Sequence, residues 1–221
     1  MKKILTILFL TLFTGASYAE VNFGVSGAFT RIDTSGSEVE GGETNSKTIT
    51  SDVVIPSLFV EMGITDRITV GIDYIPLDAD VSDKTYKRTD TETSVTGTAT
   101  TTSTSRTQTA QAELTDHTTL YADVMLNDVM YVKAGYVQVD VNTLESLGTG
   151  SKYGNATIDG MLYGVGFKAD SPIGKFMKME IVWTDYDDVS ISSSVARTGV
   201  TTNNKISADL DTTAFKVSFA F

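Results

Sequence analysis

Apolar residues recur at every second position along most of the chain. Near the carboxyl terminus the apolar positions are Phe215, Val217, Phe219 and Phe221, and the positions between them are small or polar. A period of two is that of a β-strand with one apolar and one polar face. Such a strand suits either a half-buried sheet in a soluble protein or the wall of a membrane barrel.

The same alternation predicts eight strands, while helical spacing of apolar residues is scarce. The predicted strands cover residues 21–32, 53–64, 67–78, 114–126, 129–142, 156–169, 176–188 and 208–221. In the fifth strand the apolar phase changes after Tyr136, because the next apolar residues are Val137, Val139 and Val141. A β-bulge or the exit of the strand from a membrane would produce this change.

The connections between these strands alternate between short and long. The short ones are Thr65-Asp66, Asn127-Asp128 and residues 171–175, and all three are rich in turn formers. The long ones are polar and cover about 33–52, 79–113, 143–155 and 189–207. Short periplasmic turns and long external loops are typical of outer-membrane barrels, and a barrel leaves no strand edge facing lipid. We therefore predict an all-β fold, an eight-stranded antiparallel up-and-down transmembrane β-barrel.

The second long connection is biased in composition, since 12 of the 25 residues from Thr85 to Thr109 are threonine. Threonine favours extended structure but has little apolar surface to bury. The segment is expected to form either a solvated hairpin turning near Gly97 or a disordered loop. Pro56 and Pro76 fall inside two predicted strands, opposite each other at the external end of their hairpin, where ladder hydrogen bonding can relax.

The amino terminus predicts export from the cytoplasm. Lys2 and Lys3 precede a short apolar run, and Ala19 ends a small-residue cleavage site, so residues 1–19 are interpreted as a signal peptide. Residues 20–221 then form one barrel domain. Cleavage changes the formal charge from −11 to −13, because both lysines are removed, and this acidity argues against nucleic-acid binding. The chain has no cysteine, which excludes disulfides and thiolate sites.

The polar face of the predicted strands carries four acidic and four basic residues, together with several glycines. These are Glu61, Asp73, Asp123, Lys133, Lys168, Lys178, Glu180 and Lys216. Charges facing hydrocarbon are costly, about 2–4 kcal/mol for a midplane lysine, so this face is predicted to line the lumen. Eight strands enclose a narrow interior that side chains fill, and buried charges there must be paired.

The strand heights predict specific contacts within this network. Asp123 is expected diagonal to Lys133 across a hairpin, and Lys133 is expected to meet Glu180 over Gly164 and Gly166. The network acts either as an ion path or gate, or as a structural plug. We favour the plug, because paired charges leave little room for water.

Three segments carry a resemblance to a known family. The segments 129–136 and 179–189 resemble the fifth and seventh strands of small OmpA-like and OmpX-like outer-membrane barrels, and 215–221 is similar to their terminal strand. The resemblance implies an inward base at Lys133, an inward acid at Glu180, and an assembly signal at the strand end. That signal comprises Phe215, Val217, Phe219 and Phe221. The chain is expected to end at the barrel, without the peptidoglycan-binding domain of longer relatives, and its Thr-rich loop is unusually long.

These observations favour a non-enzymatic, porin-like protein of the Gram-negative cell surface, with a structural role and at most a narrow or gated pore. We expect a monomer in contact with outer-membrane lipids and lipopolysaccharide, inserted by the barrel-assembly machinery, with no cofactor, metal or nucleic acid. One alternative is an adhesin or receptor that acts through its loops, whose acidic clusters 38–40 and 185–188 lack the spacing of a calcium loop. The other is a lipid A-modifying enzyme, for which His117 is the single candidate base.

Overall fold

The computed structural model describes residues 20–40, 43–80, 86–96, 100–144, 152–193 and 204–221. It contains twelve strands. They are β1 (Val21–Glu40), β2 (Glu43–Gly63), β3 (Ile68–Tyr74), β4 (Ala79–Asp80), β5 (Tyr86–Thr96), β6 (Thr100–Ala110), β7 (Ala112–Met125), β8 (Met130–Thr143), β9 (Ala156–Asp170), β10 (Phe176–Tyr186), β11 (Val189–Ser192) and β12 (Lys205–Ala220). The described residues include no helix able to cross a membrane. The predicted signal peptide, residues 1–19, lies outside the described residues.

Eight of the strands form a closed antiparallel barrel, in the order β1, β2, β3, β7, β8, β9, β10 and β12. The barrel closes because β12 also pairs with β1 over sixteen registered positions, from Gly24 opposite Ala220 to Val39 opposite Lys205. The predicted fold class is therefore confirmed. Closure pairs the backbone groups of both terminal strands, which an open sheet would leave exposed.

The two ends of the barrel differ in height. We call the end with the three short turns, at 64–67, 126–129 and 171–175, the turn end, and the opposite one the extended end. At the extended end β1 and β2 stay paired from Val21 opposite Met62 to Glu40 opposite Glu43. Strand therefore occupies the described part of the predicted first long loop, residues 33–40 and 43–52. Its residues are polar on both faces and give no alternation signal, yet the ladder of hydrogen bonds simply continues.

The Thr-rich segment forms the hairpin that was one of the two alternatives. β5 pairs with β6 from Tyr86 opposite Ala110 to Thr96 opposite Thr100. This hairpin is a separate two-stranded sheet rather than a continuation of the barrel wall, because β3 already ends at Tyr74. The predicted turn at Gly97 lies outside the described residues.

The outer face of the barrel carries a continuous apolar band above the turn end. Its exposed members include Phe23, Val25, Phe29, Val54, Leu58, Tyr163, Val165, Phe167, Met179, Ile181, Trp183, Phe215 and Phe221. Beyond the band, the same face of the strands turns polar, with Arg31 and Asp33 on β1 and Asp185 on β10. An apolar band bordered by aromatic residues is the outer surface expected of a membrane barrel.

Two irregularities interrupt the wall, and both lie beside β3. The β2–β3 ladder stops at Leu58 opposite Tyr74, which is the level at which Pro56 and Pro76 would come next. On the other side, β7 has a bulge between Thr115 and Thr118, where Asp116 adopts a positive φ of 52°. Of the two explanations for the phase change in the fifth predicted strand, a bulge in β8 is absent, since β8 pairs with β9 without a register shift through Val141.

Candidate functional site

The lumen at the turn end is built around the ammonium group of Lys178. Its Nζ donates to Asp123 Oδ2 at 2.7 Å and also contacts Glu61 Oε2. Tyr121 adds a hydrogen bond from its hydroxyl to Glu61 Oε2 at 3.0 Å. All four side chains are buried. One lysine of β10 thus holds together two carboxylates, from β2 and β7, as burial of charge requires.

A second cluster of charges lies beside this one. Lys133 Nζ is 2.5 Å from Glu180 Oε1 and 3.7 Å from Asp123 Oδ1. Lys133 also lies over the ring of Tyr121, 4.0 Å from its centroid. Asp123 is directly opposite Lys133 in the ladder, so the predicted diagonal placement is wrong. Asn127 Oδ1 accepts bonds from the backbone N–H groups of Val129 and Met130, and the turn covers residues 126–129 instead of the predicted Asn127-Asp128.

The remaining predicted charges lie above and below this centre. Lys216 Nζ contacts Asp73 Oδ2 at 2.5 Å, and the same oxygen accepts a bond from Ser57 at 3.1 Å. Lys168 lies nearer the turn end, half exposed, with its Nζ 3.9 Å from Glu61 Oε1 and 3.8 Å from the ring centroid of Phe176. All eight predicted lumen charges therefore face the interior. Six of them form one series of ion pairs, and Asp73 and Lys216 form a separate pair.

Glycines on the lumen face make space for the large side chains of this network. A Cβ at Gly71 would lie 2.5 Å from the ring of Tyr121, and one at Gly166 would lie 2.5 Å from the ring of Tyr131. The Cβ at Gly166 would also lie 3.0 Å from Glu180 Cγ. These glycines are needed for close approach rather than for an unusual backbone angle. The predicted role of Gly164 and Gly166 as space for Lys133 and Glu180 agrees with this arrangement.

The lumen at the extended end is aliphatic. Its buried core comprises Ile32, Leu114, Val137, Val139, Val141, Ile158, Leu162, Val182, Tyr186 and Leu210. Val137 and Val139 have no exposed surface, while the side chains beside them along β8, such as Gln138, point outward. The apolar phase change noted in the sequence is therefore an exchange of polarity between the two faces, with no bulge in β8.

A chamber lies between the charged network and this aliphatic core. Its walls include Ile55, Ile75, Leu77, Leu114 and Leu162, and its floor includes the Asp73–Lys216 pair. The volume of the chamber that is open to the centres of water-sized molecules is about 90 Å³. This volume has room for roughly six waters. Its lining residues come from eight strands and from the segment between β3 and β4, so no short stretch of sequence indicates it.

The chamber borders the interrupted part of the wall. Among the described residues, no strand pairs with β2 on its β3 side above Leu58. The flanking residues Ile55, Ile75 and Leu77 line the chamber from the two sides of this interruption, and Leu77 is also exposed on the outer surface. The chamber therefore lies beside the part of the wall in which β2 and β3 are not paired.

His117 lies in the wall of the chamber, where the bulge of β7 turns it inward. Its Nε2 lies 2.9 Å from the hydroxyl oxygen of Tyr186 on β10, across the lumen. Its Nδ1 is buried and has no hydrogen-bond partner among the described residues.

The far mouth of the barrel is bridged by another hydrogen bond. Tyr153, between β8 and β9, donates from its hydroxyl to Glu38 Oε1 of β1 at 2.9 Å. The two strands adjoining Tyr153 lie on the opposite side of the barrel from β1, so the bond crosses the opening. Within the described residues, no cluster of acidic, histidine or cysteine side chains has the arrangement of a metal site.

Charged groups outside the apolar band are also perturbed. At the turn end, the Lys175 ammonium lies 2.5 Å from Glu20 and lowers the pKa of that carboxyl by hydrogen bonding and charge. At the extended end, Asp211 is directly opposite both Asp33 and Asp185. Partial burial, followed by repulsion from neighbouring aspartates, raises the pKa of Asp211.

The four residues of the predicted assembly signal lie on β12 and at its end. Phe215 and Phe221 are exposed on the outer face, and Phe215 is opposite Phe29 in the ladder with β1. Phe221 donates its backbone N–H to Phe23 at 2.9 Å, which ties the last residue to the first strand. The terminal segment thus completes the apolar band at the closing seam.

Comparison with known proteins identifies the class of fold. No family model matches the sequence, and no curated protein matches it. The crystal structure of the outer-membrane protein OprG from Pseudomonas aeruginosa aligns with a TM-score of 0.52, at 13% identity, over 90% of this chain and 95% of that one. The fold is therefore that of a small outer-membrane β-barrel.

Two further solved structures align less well. Outer-membrane protein AlkL in lipid bilayers aligns at 12% identity over 94% of this chain and 93% of that one, with a TM-score of 0.46. Neisserial surface protein A aligns at 11% identity over 91% of this chain and 99% of that one, with a TM-score of 0.38.

Proposed function

We propose that this chain is a non-enzymatic outer-membrane barrel whose lumen is sealed along its axis and whose side chamber holds a small apolar molecule. The turn end faces the periplasm and the extended end faces outward, after cleavage of residues 1–19 and insertion by the barrel-assembly machinery. The barrel contacts outer-membrane lipids and lipopolysaccharide as a monomer. The apolar band and the closed sheet support this placement.

The charged network supports a plug rather than an ion path. Lys178, Asp123 and Glu61 meet in the lumen, and their neighbours Lys133 and Glu180 form a second pair over β9. Side chains held this way leave no continuous water column. Purified protein in planar bilayers is expected to show no ion conductance. The Lys133→Ala and Glu180→Ala variants are expected to show none either. Stepwise conductance of the unaltered protein would contradict the plug.

The side chamber is the observation that carries the ligand-binding part of the proposal. Aliphatic side chains form about half of its lining, and it borders the unpaired stretch between β2 and β3 at the outer edge of the apolar band. The hydrogen bond of Tyr153 to Glu38 crosses the mouth above it. A small apolar molecule can therefore exchange with the membrane through the wall instead of crossing the charged plug.

Binding can be measured with ethylbenzene in lipid nanodiscs. The protein-containing discs are expected to take up more ethylbenzene than empty discs of the same lipid composition. Ala79→Trp, which places a large side chain at the chamber wall, should abolish the excess, while Val165→Trp on the outer band should keep it. Equal uptake by protein-containing and empty discs would refute the chamber as a binding site.

The surroundings of His117 support a protein without catalytic activity. The imidazole meets a tyrosine across the lumen instead of a nucleophile oriented for acyl transfer. His117→Ala is expected to leave lipid A unchanged by mass spectrometry. A change in the lipid A acylation pattern that depends on His117 would establish the enzyme alternative.

A surface-attachment role is the second candidate, and the separate β5–β6 hairpin favours it. This hairpin is long, Thr-rich and outside the barrel wall. Deleting residues 85–109 should remove attachment to host or neighbouring cells while the barrel still shows heat-modifiable migration in gels. If attachment is unchanged, the surface-attachment role of the hairpin is refuted and only the structural role of the barrel remains.

A further inference from the structure

The part of β2 in the extended half has an unpaired strand edge. β2 pairs with β1 along its whole length, but with β3 only as far as Leu58 opposite Tyr74. In the extended half β4 pairs with β7, and β5 pairs with β6. Among the described residues, the side of β2 that faces away from β1 therefore has no partner strand beyond Leu58.

The direction of the backbone groups shows which residues form this edge. Gly63 donates its N–H to Glu20, next to β1, whereas Ile64 donates to Ile68, at the start of β3. Backbone groups alternate in direction along a strand, and β2 pairs with β1 without a register shift, so the even-numbered residues of β2 face away from β1. The free edge comprises the N–H and C=O groups of Ser46, Thr48, Thr50, Asp52 and Val54.

Two prolines account for the end of the ladder with β3. Its next pair would be Pro56 opposite Pro76, at a position where each residue would donate an N–H to the other. Proline has no N–H, so neither hydrogen bond of this pair can form. No residue of the free edge is a proline, and the edge therefore keeps all its donors and acceptors.

The two faces of β2 beside the free edge differ in polarity. Val53 and Ile55 face the lumen and are half-buried, next to the aliphatic core and the chamber. Thr50 is exposed on the outer face, and Asp52 on that face is neutralised by Arg31. A strand added to this edge would therefore place apolar side chains toward the lumen and hydroxyl side chains outward.

We propose that the free edge of β2 receives an extended segment of a partner protein, which pairs antiparallel with residues 46–54 and alternates apolar and hydroxyl side chains. An unpaired strand edge recognises polypeptide backbone, which offers donors and acceptors at the same two-residue repeat. Most of the edge lies at the level of Arg31 and Asp33, beyond the apolar band, so the segment approaches from water. The inference does not depend on a ligand in the chamber.

A second copy of this chain fits the edge less well. Copies in one membrane have the same orientation, so their β2 strands run in the same direction and cannot pair antiparallel. Strands of such barrels also tilt by about 35–45°, so the two edges would cross rather than align. The Thr-rich hairpin of the chain itself is a further candidate, but its strands pair with each other and not with β2.

The test uses a fluorescent nine-residue Thr-Val repeat that begins and ends with threonine, followed by two lysines for solubility. Directly opposite residues share a face, so the threonines of the paired peptide lie beside Thr50 and direct their N–H groups to β2, while the valine N–H groups point away. N-methylation of two central threonines should weaken binding to the protein in nanodiscs about tenfold, measured by fluorescence anisotropy. N-methylation of two central valines is the matched control and should leave binding unchanged.

A substitution in the protein tests the same contact from the other side. Thr50→Pro removes one N–H from the free edge and keeps the bonds to β1, because the backbone groups of Thr50 face away from β1. This variant should bind the unmethylated peptide about three- to tenfold more weakly. Thr50→Val is the matched control and should bind it normally, since both variants lose the hydroxyl bond to Asp33. Should Thr50→Pro fail to fold, the methylated peptides still decide the question.

The contrary outcomes each overturn the proposal. If the two methylated peptides bind equally, the contact is apolar adsorption and not strand pairing. Binding no stronger than to empty discs would mean that the edge accepts no strand. If the peptide binds only after deletion of residues 85–109, the edge belongs to the chain's own hairpin. Efficient disulfide linkage between two Thr48→Cys barrels would assign the edge to a second copy.

Discussion

The two halves of the lumen have opposite polarity, although the same strands run through both. In the turn half, charged side chains surround Lys178, and the outer wall is apolar. In the extended half, the lumen is aliphatic around Val139, and the outer wall carries Arg31, Asp33 and Asp185. Each half places its apolar residues on the side that water does not reach. The extended half, with its aliphatic lumen and polar outer wall, has the polarity of a soluble barrel, and the turn half has that of a membrane barrel.

The level at which the inner and outer faces exchange polarity marks where the barrel wall leaves the membrane. On β8 the outward residues change from Tyr136 to Gln138, and on β10 they change from Trp183 to Asp185. Tyr136 and Trp183 belong to the aromatic border expected at a membrane surface. The barrel thus rises beyond the bilayer, and the chamber lies close to the level of this border.

The largest effect is expected when the charged half loses its central cation. Lys178→Met leaves Glu61 and Asp123 buried without their shared lysine, and this should lower the free energy of unfolding by about 3–5 kcal/mol. Urea unfolding in detergent, followed by heat-modifiable migration, measures the loss. Lys168→Met is the control, because Lys168 is half exposed and 3.9 Å from its partner. Equal losses in both variants would contradict a central role for Lys178.

Three lysine substitutions along one strand test the exchange of polarity itself. Val132→Lys faces the apolar band and should cost about 2–4 kcal/mol. Val139→Lys should open the extended half to protease while leaving the turn half folded, because it buries a charge in an aliphatic core. Gln138→Lys, on the outer face beside Val139, should change little. Tolerance of Val139→Lys would mean that the core is not closed.

A smaller effect is expected at the mouth of the extended half. Tyr153→Phe removes the donor to Glu38 and should cost about 1 kcal/mol, seen as faster cleavage of the extended half by protease. The turn half should unfold at an unchanged denaturant concentration, since the charged network is untouched. A loss of stability shared by both halves would indicate that they unfold as one unit.

The smallest effect concerns the acidic outer face of the extended half. Asp211 lies opposite Asp33 and Asp185, and its pKa is raised, so the folded protein holds this proton more tightly than the unfolded chain. Stability contributed by this site is therefore present below the unfolded pKa and lost as pH rises through the folded pKa. At neutral pH, Asp211→Asn should stabilise by a few tenths of a kcal/mol, and the gain should fade in high salt.

Asp52→Asn is the variant matched to Asp211→Asn, and its expected effect on stability has the opposite sign. Arg31 Nε donates to Asp52 Oδ1 at 2.9 Å, and this bond lowers the pKa of Asp52. The favourable pairing is present above the unfolded pKa of the acid and lost as pH falls through the folded pKa. The substitution should therefore destabilise slightly at neutral pH and not in acid. Effects of the same sign in Asp52→Asn and Asp211→Asn would contradict the role of local charge pairing.

Alternation along the chain was enough to predict the barrel and the facing of its charges. Lys133 and Glu180 could be brought together from sequence because strand phase and height determine which residues face each other across a narrow lumen. The register of Asp123 was off by one residue, since the side-chain caps of Asn127 lengthen the turn. The alternation of apolar and polar residues does not predict this lengthening of the turn.

The extended half and its chamber could not be predicted in the same way. Residues 33–52 are polar on both strand faces, so the pattern gave no sign that β1 and β2 continue. The chamber depends on the end of the ladder at Tyr74 and on the bulge after Thr115, which turns His117 inward. Both are departures from regular pairing, and each brings together residues that are far apart in sequence.

Single-cysteine scanning of β8 tests the central claim most directly, because the chain has no cysteine of its own. Nitroxide labels at positions 132 and 134 should be accessible to oxygen dissolved in lipid, and labels at 138 and 140 to a water-soluble nickel complex. Labels at 137 and 139 should be shielded from both. If position 137 or 139 is accessible to oxygen in lipid, the strand flips its faces within the membrane, and the exchange of lumen polarity is wrong.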